Sequence, residues 1–136
     1  EIRNFLIRDT RNKTAFKISE ISGKEAITNY ELLRNYGPIS YVKLLPKTGR
    51  THQLRVHMKS IGTSILGDDK YSGGIKNIKS FHTKHTTKLK KTLKLIDRQM
   101  LHAESLTFLH PFSKEKMHFS SDLPTDMQDV MNLWKN

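Results

Sequence analysis

Short apolar or alternating runs fill the first third of the chain, and they predict strands. Residues 2–7 form one such run, followed by a polar turn over residues 8–13. Residues 15–18 form a second, ending before Ser22 and Gly23. Residues 26–33 mix the β-formers Ile27, Thr28 and Tyr30 with leucines and predict a third strand. Gly37-Pro38 breaks it, and residues 39–45 alternate again, so these two strands predict a hairpin. The period then changes. Leu54, Met58 and Ile61 recur at i, i+4 and i+7, predicting a helix with Thr51 as N-cap, a buried face at those three positions, and Gly62 just past its end. Residues 105–110 and 116–120 predict two more strands, and Met127, Val130, Met131 and Trp134 give a final helix after Pro124 an apolar stripe. Strands and helices in this order predict an α+β domain.

Between the two patterned regions lies a stretch without clear period. Over residues 70–98, Lys76, Lys79, Lys84, Lys88, Lys90, Lys91, Lys94 and Arg98 face one acid, Asp97. About residues 72–98 read as a lysine-rich insertion or flexible loop, with Leu89, Leu93 and Ile96 on a short helix face. The stretch reads equally as an RNA contact or as a solvated loop.

Charge sharpens the picture. The chain of 136 residues carries a formal net charge of +11, with a sequence pI near 10.0. A polyanionic partner is expected, nucleic acid first and an anionic membrane surface second. No apolar run approaches the roughly 20 residues needed to span a bilayer, so no membrane partner is expected beyond that second, surface reading. With no cysteine, disulfides, thiolate catalysis and Cys-based zinc sites are excluded, and a cytoplasmic protein is expected. His52 and His57 are five apart, so on a helix their rings diverge by roughly 140°. The glutamate of a zinc-protease helix is also missing between them, and no metal site is predicted.

The helix start near Thr51 carries the strongest chemistry. Arg50, His52 and Gln53 cluster there, where backbone N–H groups and the helix dipole favour an anion. Arg50 could hold a phosphate in bidentate fashion. Arg55 and Lys59 extend that basic side along the helix.

Residues 47–68, with Gly49-Arg50-Thr51-His52-Gln53-Leu54-Arg55-Val56-His57 at their centre and Ile65-Leu66-Gly67-Asp68 at their end, resemble the signature of the RluA-type RNA pseudouridine synthases. Further segments agree in order. Ile7-Arg8-Asp9-Thr10 with Asn12-Lys13 is similar to the family's Gly-Arg-Asp-Pro … Asn-Arg segment. Ala26-Ile27-Thr28-Asn29-Tyr30-Glu31-Leu32-Leu33 is similar to its Ala-x-Thr-x-Tyr-x-Val-Leu strand. Leu101-His102-Ala103, His110-Pro111 and Leu123-Pro124-Thr125-Asp126-Met127 are similar to its C-terminal block. Thr63-Ser64 departs from the family's usual polar-Pro pair.

The resemblance implies an enzyme that isomerises uridine to pseudouridine in RNA without a cofactor, ribosomal RNA of the large subunit being the first expectation and transfer RNA the second. It implies that Arg55 pairs with the nucleophilic aspartate and keeps it ionised. It implies that Leu66 packs at the target base, and that Lys47, Arg50, Thr51, His52, Gln53 and Lys59 lie along the RNA. The base must be flipped out of its stack, and phosphate contacts should make binding salt-dependent.

The family's Arg-Leu-Asp-x-x-Thr-Ser-Gly motif, which holds the nucleophile, does not occur in these 136 residues, nor does the strand with its catalytic tyrosine. Arg8-Asp9-Thr10 lacks the flanking residues, and Tyr30 and Tyr71 do not inherit the tyrosine's role. The resemblance therefore implies that residues 1–136 are the C-terminal half of the catalytic domain, inactive alone, an α+β unit with roughly half of the family's mixed, mostly antiparallel sheet and its flanking helices. An apolar edge left exposed is expected to be covered by a partner, a second copy or another fragment. The alternative is a non-catalytic RNA-binding module or a degenerate paralogue.

Overall fold

The structure, a computed structural model, describes residues 1–135. It is α+β with antiparallel sheets, as the alternation predicts. Strands β1 (Ile2–Arg8), β2 (Phe16–Ser19), β3 (Lys24–Asn35) and β4 (Ser40–Pro46) form one sheet in the order β2-β1-β3-β4. Each neighbouring pair is antiparallel, with Ile2 opposite Thr28 and Tyr30 opposite Leu44. Between Leu32 and Arg34 the β3–β4 register shifts. Such a bulge increases local twist.

Helix α1 (Gln53–Ser60) packs on one end of this sheet. Val56 joins Leu6, Ala15, Ala26 and Tyr71 in a core, with Phe16 and Ile18 packed against it. A second core joins Ile78, Leu89, Val130 and Trp134, contributed by a 3-10 turn (Ile75–Ser80), α2 (Thr83–Lys94) and α3 (Thr125–Trp134). The β5 (Ser105–Leu109) and β6 (Lys116–Ser120) hairpin stands apart, with no buried residue, and pairs Leu106 with Phe119 and Phe108 with Met117.

Three expectations need correction. The N-cap of α1 is His52, in the left-handed conformation at φ 57°, and no side chain caps the helix. Thr51 is exposed before it. The buried face of α1 is Gln53, Val56, His57 and Met58. Of the predicted apolar face, only Met58 is buried; Leu54 is half-buried and Ile61 is 40% exposed. The reason is polar complementarity: β3 offers α1 a hydroxyl and a carbonyl, which select Gln53 and His57. Finally, the lysine-rich stretch is ordered and not a flexible loop, with Leu89 and Leu93 on a core-facing helix face as expected. Its first half is the 3-10 turn, and its second half is a three-turn helix anchored by Leu89 and Thr92.

Strand β3 is buried at one end and open at the other. Ala26 and Thr28 are wholly buried, while Leu32 is 56% exposed. A groove of about 1610 Å³ runs along this open side, lined by Leu44, Leu54, Met58, Leu66, Leu106 and Met131 among others.

Candidate functional site

A directed chain of hydrogen bonds fixes α1 to the sheet. The Ile27 N–H donates to Thr48 Oγ1 (2.9 Å), and that hydroxyl donates to Gln53 Oε1 (2.8 Å). The Arg50 N–H also donates to Gln53 Oε1 (3.0 Å). Gln53 Nε2 donates to the Ile27 carbonyl and to Thr28 Oγ1, both at 3.0 Å. Thr28 Oγ1 lies 2.8 Å from His57 Nδ1, and His57 Nε2 lies 3.1 Å from Asn4 Oδ1. Since Asn4 Oδ1 can only accept, His57 carries its proton on Nε2 and accepts from Thr28 on Nδ1. With the Thr28 hydroxyl as that donor, every member has one consistent role and the imidazole is neutral. Burial lowers the His57 pKa in the same sense.

This clasp consumes Gln53. Its carboxamide oxygen accepts two hydrogen bonds and its nitrogen donates two, and it is 3% exposed. The structure does not bring Gln53 to the surface with Arg50 and Thr51.

Two positions along the helix from Gln53, Arg55 points elsewhere. Its Nε donates to Asp68 Oδ2 and its Nη2 to Asp68 Oδ1, both at 2.8 Å. This is a planar bidentate fork, which orients the guanidinium as well as binding it. Asp68 is 1% exposed on its side chain and Arg55 15%. Hydrogen bonding to Asp68 raises the Arg55 pKa further. Beneath the fork, the Arg55 guanidinium carbon sits 4.8 Å from the centre of the Tyr71 ring, a cation–π contact.

Tyr71 is fixed in turn. Its hydroxyl accepts from the Phe16 N–H (2.9 Å) and lies 2.7 Å from His52 Nδ1. With the hydroxyl as donor, His52 is neutral on Nδ1. Burial lowers the His52 pKa, with the Arg55 and Lys70 charges adding to it. Burial also raises the Tyr71 pKa. The segment from Gly67 to Gly73 folds back tightly, the Gly73 N–H donating to the Asp68 carbonyl and the Gly67 N–H to the Gly73 carbonyl. Gly73 is required there because a Cβ would lie 1.7 Å from the Ile65 carbonyl oxygen.

Of the five guanidinium N–H bonds of Arg55, Asp68 takes two, and the other three have no partner among the described residues. Arg55 lines an open cleft of about 520 Å³ with Asp68, Asp69, Lys70, Arg98 and Leu101. The cleft can present an oriented guanidinium to a second anion. Arg98 is held by Asp126 (2.7 Å) and by the Gln99 and Leu101 carbonyls.

Other expected site residues scatter around this cleft. Lys59 is exposed, with its ammonium 6.0 Å from the centre of the Tyr71 ring. Arg50 is exposed and tied through Nε to the Glu25 carbonyl. Lys47 is exposed within 3.9 Å of Glu1. Leu66 packs against the second core and lines the large groove, not the Arg55 cleft. Asp9 sits in the β1–β2 turn, where its carboxylate accepts from the Arg11 N–H (2.9 Å), a bond that lowers its pKa. Asp68 and Tyr71 were missed as site residues. Their signal was the polar Gly67-Asp68 step after an apolar pair, thirteen positions beyond Arg55.

Among sequence relatives, a family description of RNA pseudouridylate synthases matches residues 2–60. An RNA pseudouridine synthase of Chlorobaculum parvum is 40% identical over 116 residues, covering 85% of this chain and 35% of that protein. Ribosomal large subunit pseudouridine synthase D of Borreliella burgdorferi is 50% identical over 80 residues, covering 57% and 24%. The protein of the same name from Zymomonas mobilis is 40% identical over 118 residues, covering 87% and 34%. The chain thus spans about a third of the length of these curated relatives, or less.

Proposed function

Since the chain belongs to the RluA-type RNA pseudouridine synthase family, we propose that it carries the arginine-bearing part of a site that isomerises uridine in RNA. Ribosomal RNA of the large subunit is the proposed substrate, in keeping with the names of the relatives. The observation that carries this reading is the Arg55–Asp68 fork. It leaves three N–H donors directed by a rigid mount, as an active site needs for a carboxylate nucleophile.

In this reading the nucleophilic aspartate comes from sequence outside residues 1–136. Asp9 is not assigned that role: it sits in the β1–β2 turn, where one carboxylate oxygen accepts from the Arg11 N–H. Arg55 holds the incoming carboxylate ionised and in line with the flipped nucleotide. Asp68 is a positioning residue, acting through Arg55. Arg50, Thr51, His52, Lys47 and Lys59 contact the RNA, while Gln53 serves the clasp beneath them. Leu66 lies near the target base only if the RNA or another segment bridges the groove to the cleft. The exposed apolar groove is where the nucleophile-bearing half of the domain packs, with self-association as the substitute when that half is absent.

Replacing the matched segment of the Chlorobaculum parvum relative with residues 1–136 tests this directly. The chimera should release tritium from RNA labelled at uridine C5, because isomerisation exchanges the C5 hydrogen. The 136-residue chain alone should release none above background. A folded, RNA-binding chimera without release would reject the enzyme reading and favour a binding module. Release by the chain alone would place the nucleophile inside it.

A further inference from the structure

Helix α2 segregates its charge completely. At 100° per residue, Leu89, Thr92 and Leu93 fall within an arc of about 100°, while Lys84, Lys88, Lys90, Lys91 and Lys94 fall within an opposite arc of about 160°. The first arc is fixed to the protein. Leu89 and Thr92 are buried, the Trp134 indole N–H donates to Thr92 Oγ1 at 2.9 Å, and the Lys88 ammonium lies 4.6 Å from the Trp134 ring centre. Lys84, Lys90, Lys91 and Lys94 are exposed, as are Lys76 and Lys79 in the preceding 3-10 turn. Among the described residues none of these lysines forms an ion pair. No carboxylate occurs from residue 70 to residue 96. Like charges at i, i+4 spacing, as in Lys84/Lys88 and Lys90/Lys94, destabilise a helix. A merely solvated face would interleave acids to relieve this.

The rod also has an address. The segment after α2 lines the Arg55 cleft through Asp97, Arg98, Gln99 and Leu101. The Met100 N–H donates to the Leu66 carbonyl at 2.8 Å, and a Cβ on Gly67 would lie 2.4 Å from the Arg98 carbonyl oxygen. The C-terminal end of α2 is therefore joined to the loop that carries Asp68.

We propose that the lysine arc of α2 is an RNA-backbone binding track that leads into the Arg55 cleft. Lys84 and Lys94 are about 15 Å apart along the axis, enough for several successive phosphates. The arc contains no apolar residue, and Leu89 and Leu93 face the protein, so α2 lacks the apolar face that a membrane-surface helix inserts. The inference rests on the reading that the cleft acts on RNA.

Binding of the 136-residue chain to a uridine-containing RNA stem–loop, followed by fluorescence anisotropy from about 50 to about 300 mM KCl, tests it. One variant carries Lys84→Gln, Lys90→Gln, Lys91→Gln and Lys94→Gln. A charge-matched control carries Lys13→Gln, Lys17→Gln, Lys24→Gln and Lys116→Gln, all exposed elsewhere. Circular dichroism confirms that both are folded. The α2 variant should lose at least about tenfold in affinity near 100 mM salt, with a log–log slope shallower by about 3, and the control should lose less than about threefold. Equal losses in the two variants, or an unchanged slope in the α2 variant, would overturn the track. So would loss of binding to phosphatidylserine vesicles with RNA binding intact. A wild-type chain with no salt-dependent RNA binding would instead overturn the functional reading, and the track with it.

Discussion

Helices α1 and α2 both show a basic face and few apolar residues in sequence, yet they use polar side chains in opposite ways. In α1 the polar residues turn inward: Gln53 and His57 are buried in a directed network, and Arg55 is locked in a fork. In α2 most of the lysines stay in solvent, Lys88 lies over the Trp134 ring, and Leu89, Thr92 and Leu93 tie the helix down. The difference separates geometry from charge. A side chain in α1 matters by where its atoms sit; one in α2 matters by its sign.

Substitutions should expose that contrast. The largest effect is expected from Asp68→Ala, which leaves a mostly buried guanidinium and the Tyr71 N–H without their carboxylate. A loss of about 4 kcal/mol is expected in denaturant titration. Gln53→Ala strips the clasp of four partners and should cost about 3 kcal/mol by the same assay. A loss below about 1 kcal/mol from either would mean that α1, like α2, tolerates polar change.

Acid should act on the same network. His52 and His57 both have lowered pKa values in the folded state. The unfolded chain therefore binds more protons than the folded one at pH values between each lowered pKa and the ordinary value near 6.5. The stability held above about pH 6.5 should fall as pH drops through that window. Melting temperature against pH checks it, and a flat profile would contradict the neutral-histidine assignment. Tyr71→Phe keeps the ring under Arg55 but removes the hydroxyl between the Phe16 N–H and His52, a change expected to cost about 1 kcal/mol. The quadruple lysine variant of α2 should shift stability least, within about 0.5 kcal/mol and in the stabilising direction, because it relieves like-charge repulsion.

Much of the fold was legible because short apolar runs mark the first strands and Gly37-Pro38 punctuates the β3–β4 hairpin. The final helix was legible from its apolar stripe, with Val130 and Trp134 buried as expected. The face of α1 was misread because an apolar count assumes an apolar partner. Here the partner strand presents Thr28 and the Ile27 carbonyl, and Leu54 and Ile61 are left to line the groove. The helix face of Leu89 and Leu93 was legible in α2, but the full length of the helix was not, because its buried stripe also includes Thr92, made acceptable in the core by the Trp134 indole. Arg55 stood out as a site residue from its motif. Its partner Asp68 did not, because a contact thirteen residues away across a tight glycine loop has no local period. The helix start also differed in detail, since His52 adopts a left-handed conformation that a search for a Ser or Thr cap passes over.

The central claim is that Arg55, mounted on Asp68, is a catalytic residue and not a structural ion pair. The most direct measurement is tritium release by the chimera described above, carrying Arg55→Lys, alongside its RNA affinity and melting temperature. Lysine keeps the charge but cannot form the fork and still offer a planar face to a second carboxylate. The account predicts a loss of at least about a hundredfold in rate with RNA affinity within about threefold. A folded Arg55→Lys chimera that releases tritium at the parent rate would contradict it.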